Sequence, residues 1–450
     1  MKTHPPGLST LFLTELWERF SYYGMRAILV LFMVAPAADG GLGFDTKQAT
    51  SLYGTYTMMV YLLALPGGFV ADRFLRPWRA VVLGGSLMVI GQFLLAVHAL
   101  PFFYGGLTLI AVGTGLLKPN VSTMVGSLYG PGDPRRDSGF SIFYMGINIG
   151  ALMAPLVCGW LAESRAFKGV LAGAGIDPRM SWHFGFAAAG VGMIVGLIVF
   201  LSQRSRLPLE SGGARKGAAS TAGGGGVLTA EEWKRTGAIA ILFAFTILFW
   251  AAYEQKGASL NLFAKQLVST NLFGFDFPAS WLQSLTPFYV ILLAPVFARL
   301  WVRLGARQPS SPQKFSLGLL AIGLAFVVLV PASALTGAGK ISPLWLVAVY
   351  FLDVVGELCL SPVGLSTVTK LSPARFVGLM MGLWFFATSL GNKLAGFLSG
   401  FFVANDPRRL MELYGGIAAM LLVGSLLLVL LTPAIRRWSG EGQASSDRTA

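Results

Sequence analysis

Apolar residues fall in runs of about twenty separated by short polar stretches, the length a helix needs to cross the hydrocarbon core of a bilayer. The runs lie near 8–35, 50–72, 80–98, 102–127, 138–162 and 183–201, and then near 237–264, 278–303, 313–336, 342–368, 376–402 and 411–433. This pattern predicts an all-α integral membrane protein with twelve transmembrane helices in two six-helix bundles. The N-terminal bundle is read as residues 1–201 and the C-terminal bundle as 237–435, with a linker over 202–236 and a tail over 436–450. Within the linker, residues 211–226 are a Gly/Ser/Ala run with the composition of a flexible tether.

Composition agrees. Hydrophobic residues make up 54% of the chain, charged residues only 12%, and mean hydropathy is +0.67, whereas a soluble domain carries charge on about a quarter of its residues. The net charge of +14 would suggest nucleic acid in a soluble protein. Here the cations sit in loops, among them Arg73, Arg76, Arg135, Arg136, Arg436 and Arg437. Loops and tails on the side of the N-terminus hold about three times as many Lys and Arg as those opposite. That bias places both termini and the linker in the cytoplasm, the chain in the inner (cytoplasmic) membrane, and nucleic acid outside the list of partners. Cys158 and Cys359 lie within apolar runs and read as small buried hydrophobes. The N-terminus has no basic stretch followed by a short apolar run and cleavage site, so the first span is read as retained.

One apolar run is marked by polar residues. Glu15, Glu18, Arg19, Tyr22, Tyr23 and Arg26 fall at i, i+3, i+4, i+7, i+8 and i+11, one face of a helix. Charges at that depth are costly unless they pair, face an aqueous cavity or change protonation, so the stripe reads as functional. Between the second and third spans, Gly67-Gly-Phe-Val-Ala-Asp72-Arg73-Phe-Leu-Arg76 resembles the loop motif of the major facilitator superfamily.

Glu15-x-x-Glu18-Arg19-Phe20-x-Tyr22-Tyr23-Gly24 further resembles the first-helix motif of the proton-dependent oligopeptide transporters, a branch of that superfamily. The same family is resembled by Gly113-Thr-Gly-Leu-Leu-Lys118-Pro119-Asn120, Phe143-Tyr144-Met-Gly-Ile-Asn148-Ile-Gly150, Phe249-Trp250-Ala-Ala-Tyr-Glu254-Gln255 and Gly356-Glu357-Leu-Cys-Leu-Ser361-Pro362. The segments cover both halves in order. The fold implied is the major facilitator fold.

A peptide presents a cationic amine, an anionic carboxylate and a backbone that does not depend on its side chains. A promiscuous peptide site therefore needs charges of both signs set apart, which Arg26 and Lys118 in one half and Glu357 in the other would supply. The resemblance implies that Arg26 and Lys118 take the carboxylate and Glu357 the amine. Tyr22, Tyr61, Asn148 and Ser361 would contact the peptide or order water. Trp250 and Trp384 would line side-chain pockets, and read equally well as packing. Tyr61 also reads as an interfacial anchor, and Lys118 as the ion-pair partner of Glu357. Glu254 is the proton-coupling candidate, because burial favours its neutral form and an approaching guanidinium its charged form. In the family resemblance it pairs with Arg26. Glu15, Glu18 and Arg19 form a second ionic group, read either as adjusting the field around Lys118 or as a static network.

Two departures from the family pattern matter. Many bacterial members carry two extra helices between the bundles, for which 202–236 is too short and Gly-rich. Thr286 stands where the family commonly has asparagine, replacing the amide's paired donor and acceptor with one hydroxyl. Pro119, Pro155 and Pro362 suit helices that bend at a gate, or mark static kinks. The sequence thus predicts a proton-coupled symporter of di- and tripeptides, with peptide-like drugs as further cargo, working as a monomer in the lipid bilayer without a cofactor. The competing readings are a symporter for nitrate or another small solute and, from another class, a membrane peptidase. The peptidase fares poorly, since His4, His98 and His183 have no metal-ligand spacing and no nucleophile-base motif is visible.

Overall fold

The computed structural model describes residues 4–130, 132–207, 229–272, 274–373 and 376–439. The first half comprises α1 (Gly7–Val34), α2 (Thr46–Leu62), α3 (Ala64–Arg73), α4 (Pro77–Leu95), α5 (Leu100–Ser127), α6 (Arg136–Glu163), α7 (Arg165–Gly173) and α8 (Ser181–Ser202). The second comprises α9 (Ala230–Tyr253), α10 (Ser259–Leu267), α11 (Leu285–Leu304), α12 (Ser311–Leu335), α13 (Leu344–Leu371), α14 (Val377–Ser399) and α15 (Pro407–Ser439). In the first half α1 packs on α6 and α8, and α4 on α5 and α8. In the second, α12 packs on α13 and α15, and α9 on α14 and α15. The halves meet where α2 crosses α14 and α6 approaches α11.

Every apolar run carries a helix. Among the described residues, ten helical segments are long and apolar enough to cross a membrane. The two other runs are occupied by α1, 28 residues long with Glu15, Glu18, Arg19 and Arg26 inside it, and α14, 23 residues long with Asn392 and Lys393. Polar residues lower their mean hydropathy; length does not separate them from the rest.

The seventh run departs from the uninterrupted span expected over 237–264. Its helix starts earlier, at Ala230, because Thr229 and Glu232 form a reciprocal capping box that satisfies the first free amides. It then breaks at a 3-10 turn, Glu254–Gly257, before α10 resumes. A Cβ added to Gly257 would overlap the hydroxyl of Tyr53, which is buried and bonded to Arg26, so glycine lets the turn lie against α2. The short helix α7 and a hairpin of β1 (Asn271–Leu272) and β2 (Phe275–Asp276) cap the end opposite the termini. Neither shows in a hydropathy pattern, because both sit in loops. The tether over 211–226 lies outside the described residues, as does the tail from 440 onward.

Candidate functional site

Between the halves lies a cavity of about 340 Å³ walled by α1, α2, α5 and α6 on one side and by α9, the 3-10 turn, α11, α13 and α14 on the other. That volume falls within the range of small-molecule sites. Of the residues singled out from the sequence, Arg26, Tyr61, Lys118, Asn148, Trp250, Glu254, Thr286, Glu357, Ser361 and Trp384 line it.

Its charges are arranged in three groups. The Arg26 guanidinium pairs with the Glu254 carboxylate across the halves and also donates to the Tyr53 hydroxyl. Both members of the pair are buried. Such a pair is a weak source of net stability, but removing one partner strands the other at a cost of about 3–5 kcal/mol. Glu254 lies one turn beyond Trp250, so both reach the cavity from the same face of α9.

Lys118 and Glu357 do not meet within ion-pair distance. The Lys118 ammonium sits 4.5 Å from the centroid of the Tyr61 ring, a favourable cation–π contact. Glu357 instead accepts the hydroxyl proton of Tyr253, one residue before the break. Lys256 completes the cluster, its Nζ 3.0 Å from the centroid of the Tyr253 ring and 3.5 Å from Thr286 Oγ1.

Glu15, Glu18, Arg19 and Tyr22 lie outside the cavity lining. Arg19 donates from Nη2 to Glu18 Oε1 at 2.6 Å and lies 3.3 Å from Glu15 Oε1. This group is buried between α1 and its neighbours, up to about 16 Å along the helix from Arg26. Tyr22 is buried with its hydroxyl unpartnered, under the Arg19 guanidinium at 5.2 Å. Tyr23 lines the cavity instead. One residue along a helix is a rotation of about 100°, enough to exchange their surroundings.

Tyr144, Tyr253, Lys256 and Gln283 also line the cavity and were not singled out from the sequence. Tyr253 and Lys256 flank Glu254, and a lysine inside an apolar run was the available signal. Trp250 and Trp384 are placed both at the cavity and in aromatic packing. Each lines the cavity, while Trp250 packs edge-on against Phe249 and Tyr253, and Trp384 against Phe243 and Phe315. Asn148 donates one N–H of its amide to the Tyr144 carbonyl at 3.0 Å.

A further set of bonds ties the halves together on the side of the cavity away from the termini. Lys265 donates to Glu163 Oε2 at 2.7 Å, the Ser280 amide to Glu163 Oε1 at 3.2 Å, and Trp281 Nε1 to the Leu156 carbonyl at 2.9 Å. Asn261 donates to the Ala27 carbonyl at 2.8 Å, Lys393 to Thr55 Oγ1 at 2.6 Å, and Ser389 to the Met58 carbonyl at 3.0 Å.

The molecule is thus a multi-pass membrane protein with a charged cavity between two helical halves, sealed at one end by contacts between them. It belongs to the POT family, whose sequence profile matches residues 78–207 and 225–415. The chain is 38% identical to the peptide transporter YePEPT of Yersinia enterocolitica, over 96% of this chain and 95% of that one. It is 35% identical to a di-/tripeptide transporter of Lactococcus lactis, over 96% of each. Among solved structures, a mutant of peptide transporter POT in complex with alafosfalin superposes with a TM-score of 0.87 at 40% identity, covering 97% of this chain and 96% of that one. The fold is the major facilitator fold, and the relatives are transporters.

Proposed function

We propose that the protein is a proton-coupled symporter that imports di- and tripeptides across the cytoplasmic membrane by alternating access, with twelve spans, both termini in the cytoplasm and a monomer as the working unit. The observation that carries this reading is the cavity's charge pattern: Arg26 and Lys118 alone on one wall, and Glu254 and Glu357, with Lys256 between them in the chain, on the other. A zwitterion with its charges set apart bridges such walls. A nitrate site needs cations alone and gives Glu357 nothing to do.

Proton and peptide act through one ion pair. A proton taken up by Glu254 discharges the carboxylate facing Arg26 and leaves the guanidinium to the peptide carboxylate. Release of the proton restores the pair and draws the halves together. With the far end sealed, the arrangement is that of a carrier facing the side of its termini, the cytoplasm in this reading. Glu15, Glu18 and Arg19 sit too deep to touch substrate and set the field on the same helix.

Liposomes holding the purified protein, given an acid exterior, are expected to accumulate labelled dialanine, with competition from other di- and tripeptides and none from free amino acids or tetrapeptides. Absence of accumulation, or competition by nitrate alone, would count against the reading.

Two variants probe the poles. Glu357→Gln should weaken peptides with a free N-terminus more than N-acetylated ones, because only the free amine carries the charge that the carboxylate meets. Equal losses would count against the assigned polarity. Lys256 lines the cavity beside Thr286 with no carboxylate within 4.0 Å among the described residues, a desolvated cation that an acidic side chain of the cargo would neutralise. Lys256→Gln should raise the half-inhibitory concentration of alanyl-glutamate about tenfold relative to alanyl-glutamine, the effect of one charge-assisted contact. An unchanged ratio would show that the ammonium does not read the cargo.

A further inference from the structure

A second cavity, of about 890 Å³, lies between α11, α12, α13 and the end of α15. It sits on the side of the molecule that carries the termini, and its character changes with depth. Along α13 the lining passes from Leu358 through Val363 to Thr367 and Lys370, apolar to hydroxyl to cationic over about 18 Å of helix. Phe297 of α11 faces the apolar part and Trp301, one turn on, the polar part.

Three cations from three helices converge on the mouth. Lys314 comes from the start of α12, Lys370 from the last turn of α13 and Arg436 from the last turn of α15. Among the described residues no Asp or Glu lines the cavity. The Lys314 ammonium is positioned, donating to Gln308 Oε1 at 2.8 Å and lying 4.4 Å from the centroid of the Trp301 ring. Arg436 Nε is buried without a hydrogen-bond partner. Ser311 and Gln313 bring the first turn of α12 to the same mouth, and its amides add the positive end of the helix dipole.

We propose that this cavity binds one anionic phospholipid, its phosphate among Lys314, Lys370 and Arg436 and an acyl chain along Leu358, Val363 and Phe297. Cations at the headgroup level above an apolar slot match an amphiphile whose charge is at one end. Inorganic phosphate satisfies the cations and leaves the slot unfilled. A zwitterionic lipid fills the slot and brings its own cation against three others. Tyr144 lines this cavity and the central one, so the lipid sits beside the transport path.

The full-length protein in neutral detergent is titrated separately with phosphatidylglycerol, phosphatidylcholine and inorganic phosphate, and bound lipid is counted by native mass spectrometry. Phosphatidylglycerol is expected to bind and to raise the melting temperature, the other two to do neither. Replacing Lys370→Gln and Arg436→Gln together should weaken phosphatidylglycerol about 30-fold, the effect of two cations at a membrane surface, while Lys370→Arg with Arg436→Lys should keep it. The proposal is overturned if phosphatidylcholine or phosphate binds as well as phosphatidylglycerol, or if the glutamine pair binds it unchanged. Should the glutamine pair fail to fold, Val363→Trp decides: it fills the slot and spares the cations, so undiminished phosphatidylglycerol binding overturns the proposal.

Discussion

Glu254→Gln is expected to abolish proton-driven accumulation of peptide while leaving exchange of labelled for unlabelled peptide in place. Glutamine keeps the side chain's shape and one oxygen acceptor, and it stands permanently in for the protonated acid. Arg26, whose only carboxylate partner among the described residues is Glu254, is then always available to the peptide, so substrate still loads and the halves still exchange with it bound. What is lost is the link to the gradient. A membrane potential of 100 mV is worth about 2.3 kcal/mol per charge, a concentration ratio of about 50, and the variant should fall from such a ratio to equality. The measurement is uptake against counterflow in the same liposomes, with wild type treated with an uncoupler as the reference. A variant that still concentrates peptide under an acid exterior would sink the assignment and move the proton to Glu15 or Glu18.

Much of this site was legible in the chain because a membrane makes charge conspicuous. Arg26, Lys118, Glu254 and Glu357 stand out in apolar runs, and the fold brings all four to one cavity. Partners were less legible than positions. Lys118 facing Tyr61 depends on how α5 packs on α2, Glu357 facing the Tyr253 hydroxyl on how α13 meets α9, and the close approach of the turn to α2 on a glycine at 257 beside the Tyr53 hydroxyl. No local pattern carries that information, since Tyr53 and Gly257 are distant in sequence. The exchange of Tyr22 for Tyr23 has a similar cause. A stripe wide enough to hold both faces a cavity on one edge and packed helices on the other, and periodicity alone does not say which edge is which. The second cavity escaped for a different reason. Lys314, Lys370 and Arg436 each sit at a helix end, where a cation satisfies the positive-inside rule, and only the packing of α12, α13 and α15 brings them together.

The sealed end rests on a crossing that tolerates no side chain, and Gly54→Val is expected to prevent it from closing. A Cβ on Gly54 would lie 2.8 Å from the Gly396 Cα and 3.1 Å from the Asn392 carbonyl oxygen. Both obstacles are backbone, so α2 and α14 must separate rather than repack. Nearby, Ser389 and Lys393 of α14 donate to the Met58 carbonyl and to Thr55 on α2, and separation breaks those bonds too. Overpacking of this kind costs about 1–3 kcal/mol, a loss of about 5- to 150-fold in the population of the sealed state. The substrate cavity is formed by other residues, so the variant should still bind dialanine in detergent while its uptake in liposomes falls by the same factor. A cysteine placed at Ser389 reports the opening directly, because Cys158 and Cys359 are buried and stay silent. In the variant it should react faster with a membrane-impermeant maleimide added on the side opposite the termini, and Gly54→Ala should move both readouts in the same direction by less. Uptake at the wild-type rate with unchanged labelling would show that the crossing yields, and that closure is set instead by Glu163, Lys265 and the other bonds across the same end.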